Sequence, residues 1–424
     1  MAGASSSPPL TRPSVEAAHE AIKEHIHCTP VVTSQTLNDL ASRPQSPTAL
    51  LGTVFEGQTP ASPRIHLFFK CENCQRIGAF KSRGAFHALS RLTKEQLARG
   101  VVTHSSGNHA QALALAAQTQ GVKAFIVMPT ISTPSKIAAT KGYGAEIIFS
   151  GSTSQEREAM VEDVIERTGA LLIPPYDHPN IILGQGTMAL ELERQVLELI
   201  DGDPSLSVRR KDSTHTDGGP TSNGASNTRV GSSLAQRSGR LDAVIAPLGG
   251  GGMLAGIATA LSGTGTKVFG AEPSFQGADD GRRGLAANQR VTTVKTSTIA
   301  DGLRTPVGEI NWTVISDKSK VHGVFAVTEE QILSAMKLVI ERMKVFVEPS
   351  AVVGLAVCLY NEEFRKIVEE EGGEEGWDVG VVLSGGNTTL EAISRMFATE
   401  DKEAERAEGK IGEKGERIAE NVAG

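Results

Sequence analysis

The chain has 424 residues, more than one hydrophobic core usually organises, so two domains or one large α/β unit with insertions is the expectation. Its 42 basic and 49 acidic side chains leave a formal charge of −7 spread along the sequence, which excludes the one-signed footprint of a nucleic-acid or anionic-membrane binder and leaves a small metabolite as the natural partner. Aromatic residues at 4 % with 45 glycines argue against an all-β sandwich, and four cysteines are too few for a disulfide scaffold, so reduced thiols in a cytoplasmic protein are expected.

In chain order, Met1 to Ser14 carries Ser and Pro without an apolar stretch and reads as a disordered lead (1–14), not a signal peptide. A helical pattern runs from Val15 to His27, and Asn38 to Ile65 is a Pro-, Ser- and Gly-rich connection, with a flexible insertion over 41–65. Apolar runs of strand length then alternate with helical patterns. The runs are His66–Lys70, Gly100–His104, Ala124–Met128, Glu146–Phe149 and Leu171–Pro174, and the helical patterns Gly84–Leu92, His109–Gln118, Ser135–Lys141 and Ser154–Arg167. Cys71 and Cys74 form a C-x-x-C, but no second pair or nearby His completes a zinc site. Ile182 to Ile200 reads as a helix, and 201–240 changes to Ser, Thr, Gly and Asn with mixed charge, the composition of a flexible insertion. Alternation resumes with Ala243–Pro247, Gly252–Leu261, Lys267–Ala271, Glu329–Lys344, Ser350–Tyr360 and Val379–Leu383, before a charged tail at 397–424. The apolar stretch Leu241 to Leu261 is long enough to span a bilayer, yet Asp242, Pro247 and four glycines make it a strand, turn and helix. Repeated β-then-α units predict a parallel sheet wrapped by helices, which binds ligands at the carboxyl ends of its strands.

Four loops sit at such ends. Gly249-Gly-Gly-Gly252-Met253 follows an apolar strand and opens a helix, where bare backbone amides and the helix dipole suit a phosphate. His104-Ser-Ser-Gly-Asn-His-Ala-Gln111 gathers hydroxyl, amide and imidazole groups, and Ser384-Gly-Gly-Asn387 follows the last clear strand. Gln75-Arg-Ile-Gly-Ala-Phe-Lys-Ser-Arg-Gly84 carries Lys81 beside Phe80, an apolar setting in which an amine gives up its proton more readily. Taken singly, the glycine loop and the Ser384 loop also read as packing turns, the His104–Gln111 loop as a helix cap and Lys81 as a solvated lysine.

In this order the four motifs resemble the fold-type II (tryptophan-synthase-like) pyridoxal-phosphate enzymes, specifically the serine racemase and serine/threonine dehydratase branch, over about Glu16 to Arg395. The resemblance implies an α/β fold of two domains, with twisted, mostly parallel sheets wrapped by helices. Residues 15–77 and 174–396 would form the large cofactor domain and 78–173 the small one, in a homodimer. Lys81 would carry the cofactor as a Schiff base and act as base on one face of Cα. Phe80 and Asn108 would hold the ring; Gly249, Gly250, Gly251, Gly252 and Met253 the phosphate; Ser384 would face the pyridine nitrogen. Ser105, Ser106, Gly107, Asn108 and His109 would line the substrate carboxylate site. Ser106 stands where serine racemases keep the acid of the opposite face and many dehydratases have Ala. The implied activity is therefore serine racemisation with associated β-elimination of serine or threonine. A dedicated threonine or 3-hydroxyaspartate dehydratase is the alternative, and a catalytically silent pyridoxal-phosphate-binding protein a lesser one.

Glu272, Ala278 and Asp280, in Ala271-Glu-Pro-Ser-Phe-Gln-Gly-Ala-Asp-Asp280, match ligands that bind Mg²⁺ or Ca²⁺ in the racemase branch, and their oxygens suit such cations. This chain has two extra residues in that segment. Ser34, Arg76 and Ile77 match the ATP-binding positions of animal serine racemases, which have Lys and Thr at the last two. That departure counts against ATP as an activator.

Overall fold

The computed structural model describes residues 7–105, 107–208 and 241–398. Ten strands form two sheets. They are β1 (Val31–Thr33), β2 (Ile65–Cys71), β3 (Val101–His104), β4 (Ala124–Pro129), β5 (Glu146–Ser150), β6 (Leu171–Leu172), β7 (Ala243–Pro247), β8 (Lys267–Pro273), β9 (Gly323–Val327) and β10 (Trp377–Leu383). The larger sheet has the order β1-β2-β10-β7-β8-β9 and the smaller β5-β4-β3-β6. Every pairing is parallel except that of β1 with β2. Strands β7 and β10 are buried along their whole length, which is why they read as unbroken apolar runs.

Helices cover both faces of the larger sheet. Val353–Tyr360 packs in one core with Ile245, Val381 and the aromatic group Phe269, Phe325, Phe364 and Trp377. Pro179–Gly202 and Gly252–Ala260 build the other core with Phe68, Val244 and Val382. A separate core joins Phe86 and Leu89 of the helix Lys81–Ser90 to Leu113 and Ala117 of Asn108–Thr119, and reaches Ile22, Ile26 and Ile181. Among the described residues no helix is long and apolar enough to cross a membrane.

Several elements differ from the sequence reading. The first helix begins at Arg12, with Pro in its first turn, because Arg12 donates to Glu193 (2.6 Å) and to the Ala260 carbonyl (2.8 Å) and so anchors the end of the lead. Within the 38–65 connection a helix, Gln35–Ser42, runs on past Asn38, whose side chain accepts from the Leu67 amide. The rest of the connection, irregular apart from the 3-10 turn Pro47–Leu50, is tied down: Arg365, fully buried, donates to the carbonyls of Ala41, Arg43 and Ala61, and Glu362 accepts from the Ala61 amide. The Glu329–Lys344 pattern is an α-helix only to Leu338, continuing as a π-turn, Val339–Met343. Of the 201–240 insertion and the 397–424 tail, residues 209–240 and 399–424 lie outside the described residues, as do 1–6 of the lead.

Candidate active site

Strands β2, β3, β7 and β10 each end in one of the four loops singled out in the sequence. After β2 the chain makes two 3-10 turns, the second with Ile77 (φ 62°) and Gly78 (φ 72°) both left-handed, and enters the helix Lys81–Ser90. The Phe80 amide donates to the Ser384 carbonyl (3.1 Å), Ala79 bridges to Gly385, and the Gly386 amide donates to the Gly78 carbonyl (2.9 Å). The Lys81 loop and the Ser384 loop are thus one hydrogen-bonded unit. Lys81 Nζ donates to the Pro175 carbonyl (2.9 Å) and lies 5.1 Å from the centre of the Phe80 ring. Burial, with no carboxylate to offset it, pulls this amine down to about 8 from its usual value near 10.5, toward the neutral form a nucleophile needs.

The glycine loop is shaped by Tyr176. A Cβ on Gly250 would stand 2.5 Å from the Tyr176 ring, one on Gly252 2.8 Å from its carbonyl, and Gly251 has φ +94°. Asn311 donates to the Gly250 carbonyl (2.6 Å), as does the Gly308 amide (3.0 Å), while Asp177 caps the helix Glu309–Ile315 by accepting from three of its amides at 2.8–3.1 Å. Among the described residues the amides of Gly250, Gly251, Gly252 and Met253 have no protein acceptor. Such a row of unpaired amides at a helix N-terminus, with Gly249 leading into it, fits a phosphate group.

In the third loop the Ser105 amide donates to the Val127 carbonyl (3.1 Å), Ser105 Oγ accepts from the Gly107 amide (3.3 Å), and Asn108 starts the helix Asn108–Thr119. Asn108 joins the unit already described, since its Oδ1 accepts from Asn387 Nδ2 (2.7 Å). His109 is buried, with Nε2 3.2 Å from the Ile173 carbonyl and Nδ1 without a partner among the described residues. Burial first, then the charge of Lys81, pushes its pKa down to about 3, so the ring is neutral and offers a lone pair at Nδ1. Ser384 is buried at the end of β10. Ser106 lies outside the described residues.

Glu272 is fully buried at the end of β8, its oxygens accepting from the Gly281 (3.1 Å) and Arg282 (2.7 Å) amides. Asp280 accepts from the Val307 amide (3.0 Å), and Ala278 is buried between them in sequence. The turn Phe275–Gly277, left-handed at Gln276 and Gly277, precedes Ala278. Burial is the main cause raising both carboxyls, Glu272 well above its usual value and Asp280 to about 6, and among the described residues neither has a cationic side chain hydrogen-bonded to it. Two under-compensated carboxylates with a carbonyl are a donor set that fits a hard divalent cation. Among the described residues no cluster of three or more His, Cys, Asp or Glu stands ready to bind a metal, so the Ala278 oxygen would be essential. Of the remaining positions, Ser34 precedes the helix Gln35–Ser42, while Arg76 and Ile77 lie in the turn before Lys81, where the buried Ile77 side chain has nothing polar to offer a nucleotide.

Two features were not found by sequence reading. Arg83, two residues beyond Lys81, is fully buried between Glu72 and Glu191, and Glu348 is a buried carboxylate touching Asn108. Each is an ionisable residue set among apolar or small neighbours in sequence, which is the signal that could have marked it.

The profile of the family described as pyridoxal-phosphate dependent enzyme matches residues 53–205 and 215–385. Serine racemase of Arabidopsis thaliana is 37 % identical over 386 residues, 91 % of this chain and 95 % of its own. L-threo-3-hydroxyaspartate ammonia-lyase of Saccharomyces cerevisiae is 36 % identical over 384 residues, 90 % of this chain and 94 % of its own. The structure of maize serine racemase superposes with a TM-score of 0.71 at 33 % identity, covering 93 % of this chain and 99 % of that one.

The depressed basicity of Lys81 has a direct kinetic consequence. Capture of an aldehyde by the cofactor-free protein should accelerate with pH to a midpoint near 8, measured by stopped-flow absorbance; a rate still climbing toward 10 would mean an ordinary solvated amine.

Proposed function

Because the chain belongs to the pyridoxal-phosphate-dependent enzyme family, we propose that it is a serine racemase that also eliminates water from serine or threonine, leaving an enamine that tautomerises to an imine and is hydrolysed by water to a keto acid and ammonia. The observation that carries this reading is the convergence of a low-basicity Lys81 with an unpaired amide row and the Ser384 and Asn108 loops at the ends of parallel strands. The bound cofactor supplies an electron sink that acidifies the substrate Cα–H. Lys81 is assigned to carry the cofactor and to move the Cα proton on one face. Gly249 to Met253 would hold the phosphate by backbone amides, Phe80 and Asn108 would hold the ring, and Ser384 would face the pyridine nitrogen as a neutral partner.

Ser105, Gly107 and Asn108 are assigned to the substrate carboxylate, while neutral His109 accepts a hydrogen bond there from a substrate ammonium or hydroxyl. Ser106 is assigned to protonate Cα from the face opposite Lys81. Proton return to the same face leaves L-serine unchanged, return from Ser106 gives D-serine, and departure of the β-hydroxyl as water gives elimination. The yeast hydroxyaspartate ammonia-lyase among the relatives favours a dedicated dehydratase as the second reading.

Residues 78–173 are proposed as the smaller domain and 15–77 with 174–396 as the larger, in a cytoplasmic homodimer; the four free cysteines support a reducing compartment. Glu272, Ala278 and Asp280 are proposed to hold Mg²⁺ or Ca²⁺.

Incubation with L-serine, with D-serine and pyruvate measured separately, tests the reading. Ser106→Ala should lower D-serine formation by about 10²-fold or more while sparing more of the pyruvate, and Lys81→Ala should lose both. Intact D-serine formation in Ser106→Ala would refute the two-face assignment. For the cation, Mg²⁺ or Ca²⁺ added to chelator-treated protein should raise the thermal midpoint by about 2 °C or more, and Glu272→Gln should abolish that rise.

A further inference from the structure

Glu348 lies in Val345-Phe346-Val347-Glu348-Pro349, just before the 3-10 turn Pro349–Ala351, and is 5 % exposed. Its two oxygens take different loops. Oε1 accepts from Asn108 Nδ2 (3.0 Å) and Oε2 from the Asn387 main-chain amide (3.0 Å), while its own amide donates to the Gly385 carbonyl (3.1 Å). Gly385 keeps the space: a Cβ there would stand 2.8 Å from Oε1. Asn387 Nδ2 in turn donates both to Asn108 Oδ1 and to the Ile77 carbonyl, each at 2.7 Å.

The logic of donors and acceptors makes Glu348 the member that decides the rest. An asparagine amide can present either end to a neighbour, and the two ends differ little in shape. The ionised carboxylate only accepts, so in that form Asn108 must turn its Nδ2 toward Glu348 and its Oδ1 toward Asn387. One Nδ2 hydrogen is then committed and the other stays available to a ligand. Through Asn387 the same carboxylate supports the Ile77 carbonyl, in a turn where a β-branched residue is held left-handed at φ 62°, four residues before Lys81.

We propose that Glu348 is a positioning residue for the cofactor: it sets the orientation of the Asn108 amide and, through Asn387, braces the turn that delivers Lys81. The proposal rests on the assignment of Asn108 to the cofactor ring. Burial and then the charge of Asp301 push Glu348 up to about 7, against the opposing pull of the Asn108 and Asn387 donors and of Lys136, which pairs with Asp301 at 2.7 Å. A carboxylate kept at such a disadvantage is characteristic of a functional site.

The test uses the full chain freed of cofactor and titrated with pyridoxal phosphate, reading the dissociation constant by fluorescence and the visible circular dichroism of the bound form. Glu348→Gln replaces one acceptor oxygen by an NH₂ that confronts a donor. It should raise the dissociation constant ~10-fold and alter the dichroic band. In an Asn108→Ala background the same substitution should weaken binding by clearly less than it does in the wild-type chain, because the group that Glu348 orients is gone and only its support of Asn387 remains. Wild-type affinity and dichroism in a folded Glu348→Gln protein would overturn the proposal, as would equal effects in the two backgrounds. If Asn108→Ala alone leaves pyridoxal-phosphate binding unchanged, the Asn108 assignment is wrong and the proposal falls with it. Should Glu348→Gln not fold, Asn387→Ala, which leaves the carboxylate in place, should weaken binding in the same direction; unaltered binding there would equally overturn the bracing role.

Discussion

Arg83 is buried with its full charge, and Glu72 and Glu191 take it from two sides. Nε and one terminal nitrogen donate to Glu72 (2.7 and 2.8 Å), and both terminal nitrogens donate to Glu191 (2.8 Å each). Lys70 completes the set by donating to Glu191 (2.7 Å), and Thr29 adds a hydroxyl to Glu72 (2.6 Å). Two cations and two anions therefore neutralise one another through direct hydrogen bonds. Burial alone would lower the basicity of Arg83, but Glu72 and then Glu191 reverse that and hold it above its usual value, while Arg83 and then Lys70 hold Glu191 down at about 2. Removing one member of such a set typically costs about 3–5 kcal/mol, because the remaining charge is stranded.

What this lattice fixes is the helix that begins with Lys81. Lys70 belongs to β2, Glu72 to the turn after it, Arg83 to the helix Lys81–Ser90 and Glu191 to Pro179–Gly202. The amine's helix is thus held by charge on one side, while the Ser384, Asn387 and Glu348 contacts hold the approach to it on the other. Among the described residues Lys81 itself has no counter-ion hydrogen-bonded to it; its Nζ donates to the Pro175 carbonyl. The two environments push in opposite directions: a saturated ion lattice keeps Arg83 charged, and an apolar, uncharged setting two residues away lets Lys81 become neutral. The glycine loop is held separately, by Tyr176, Asn311 and the Asp177-capped helix, so that its amides stay turned away from protein acceptors.

Much of the scaffold was legible because parallel strands buried on both faces leave unbroken apolar runs. The phosphate-type loop was legible because four consecutive glycines after such a run strip the backbone bare at the point where a helix opens. Lys81 was a modest candidate by itself and gained weight only from the order of the other loops. Less legible were elements whose residues answer to distant partners. Strand β1 has three residues and depends on pairing with β2; β9 is the short run Gly323–Val327 beside β8. The helix Glu362–Gly372 looks like a solvated charged segment, yet its Arg365 and Glu362 are what secure the connection before β2. Arg83, Glu348 and Arg365 share one difficulty: the sequence gives the charge of each but not the distant partner that makes its burial tolerable.

Lys81, and no other lysine, is proposed to carry the cofactor. Reduction of the holoenzyme with borohydride, followed by proteolysis and peptide mass mapping, measures this directly. A phosphopyridoxyl group is expected on the peptide containing Gly78-Ala-Phe-Lys81-Ser-Arg83, with loss of the visible absorbance band on reduction. Label on a different lysine, or a coloured protein whose cofactor washes away unreduced, would contradict it.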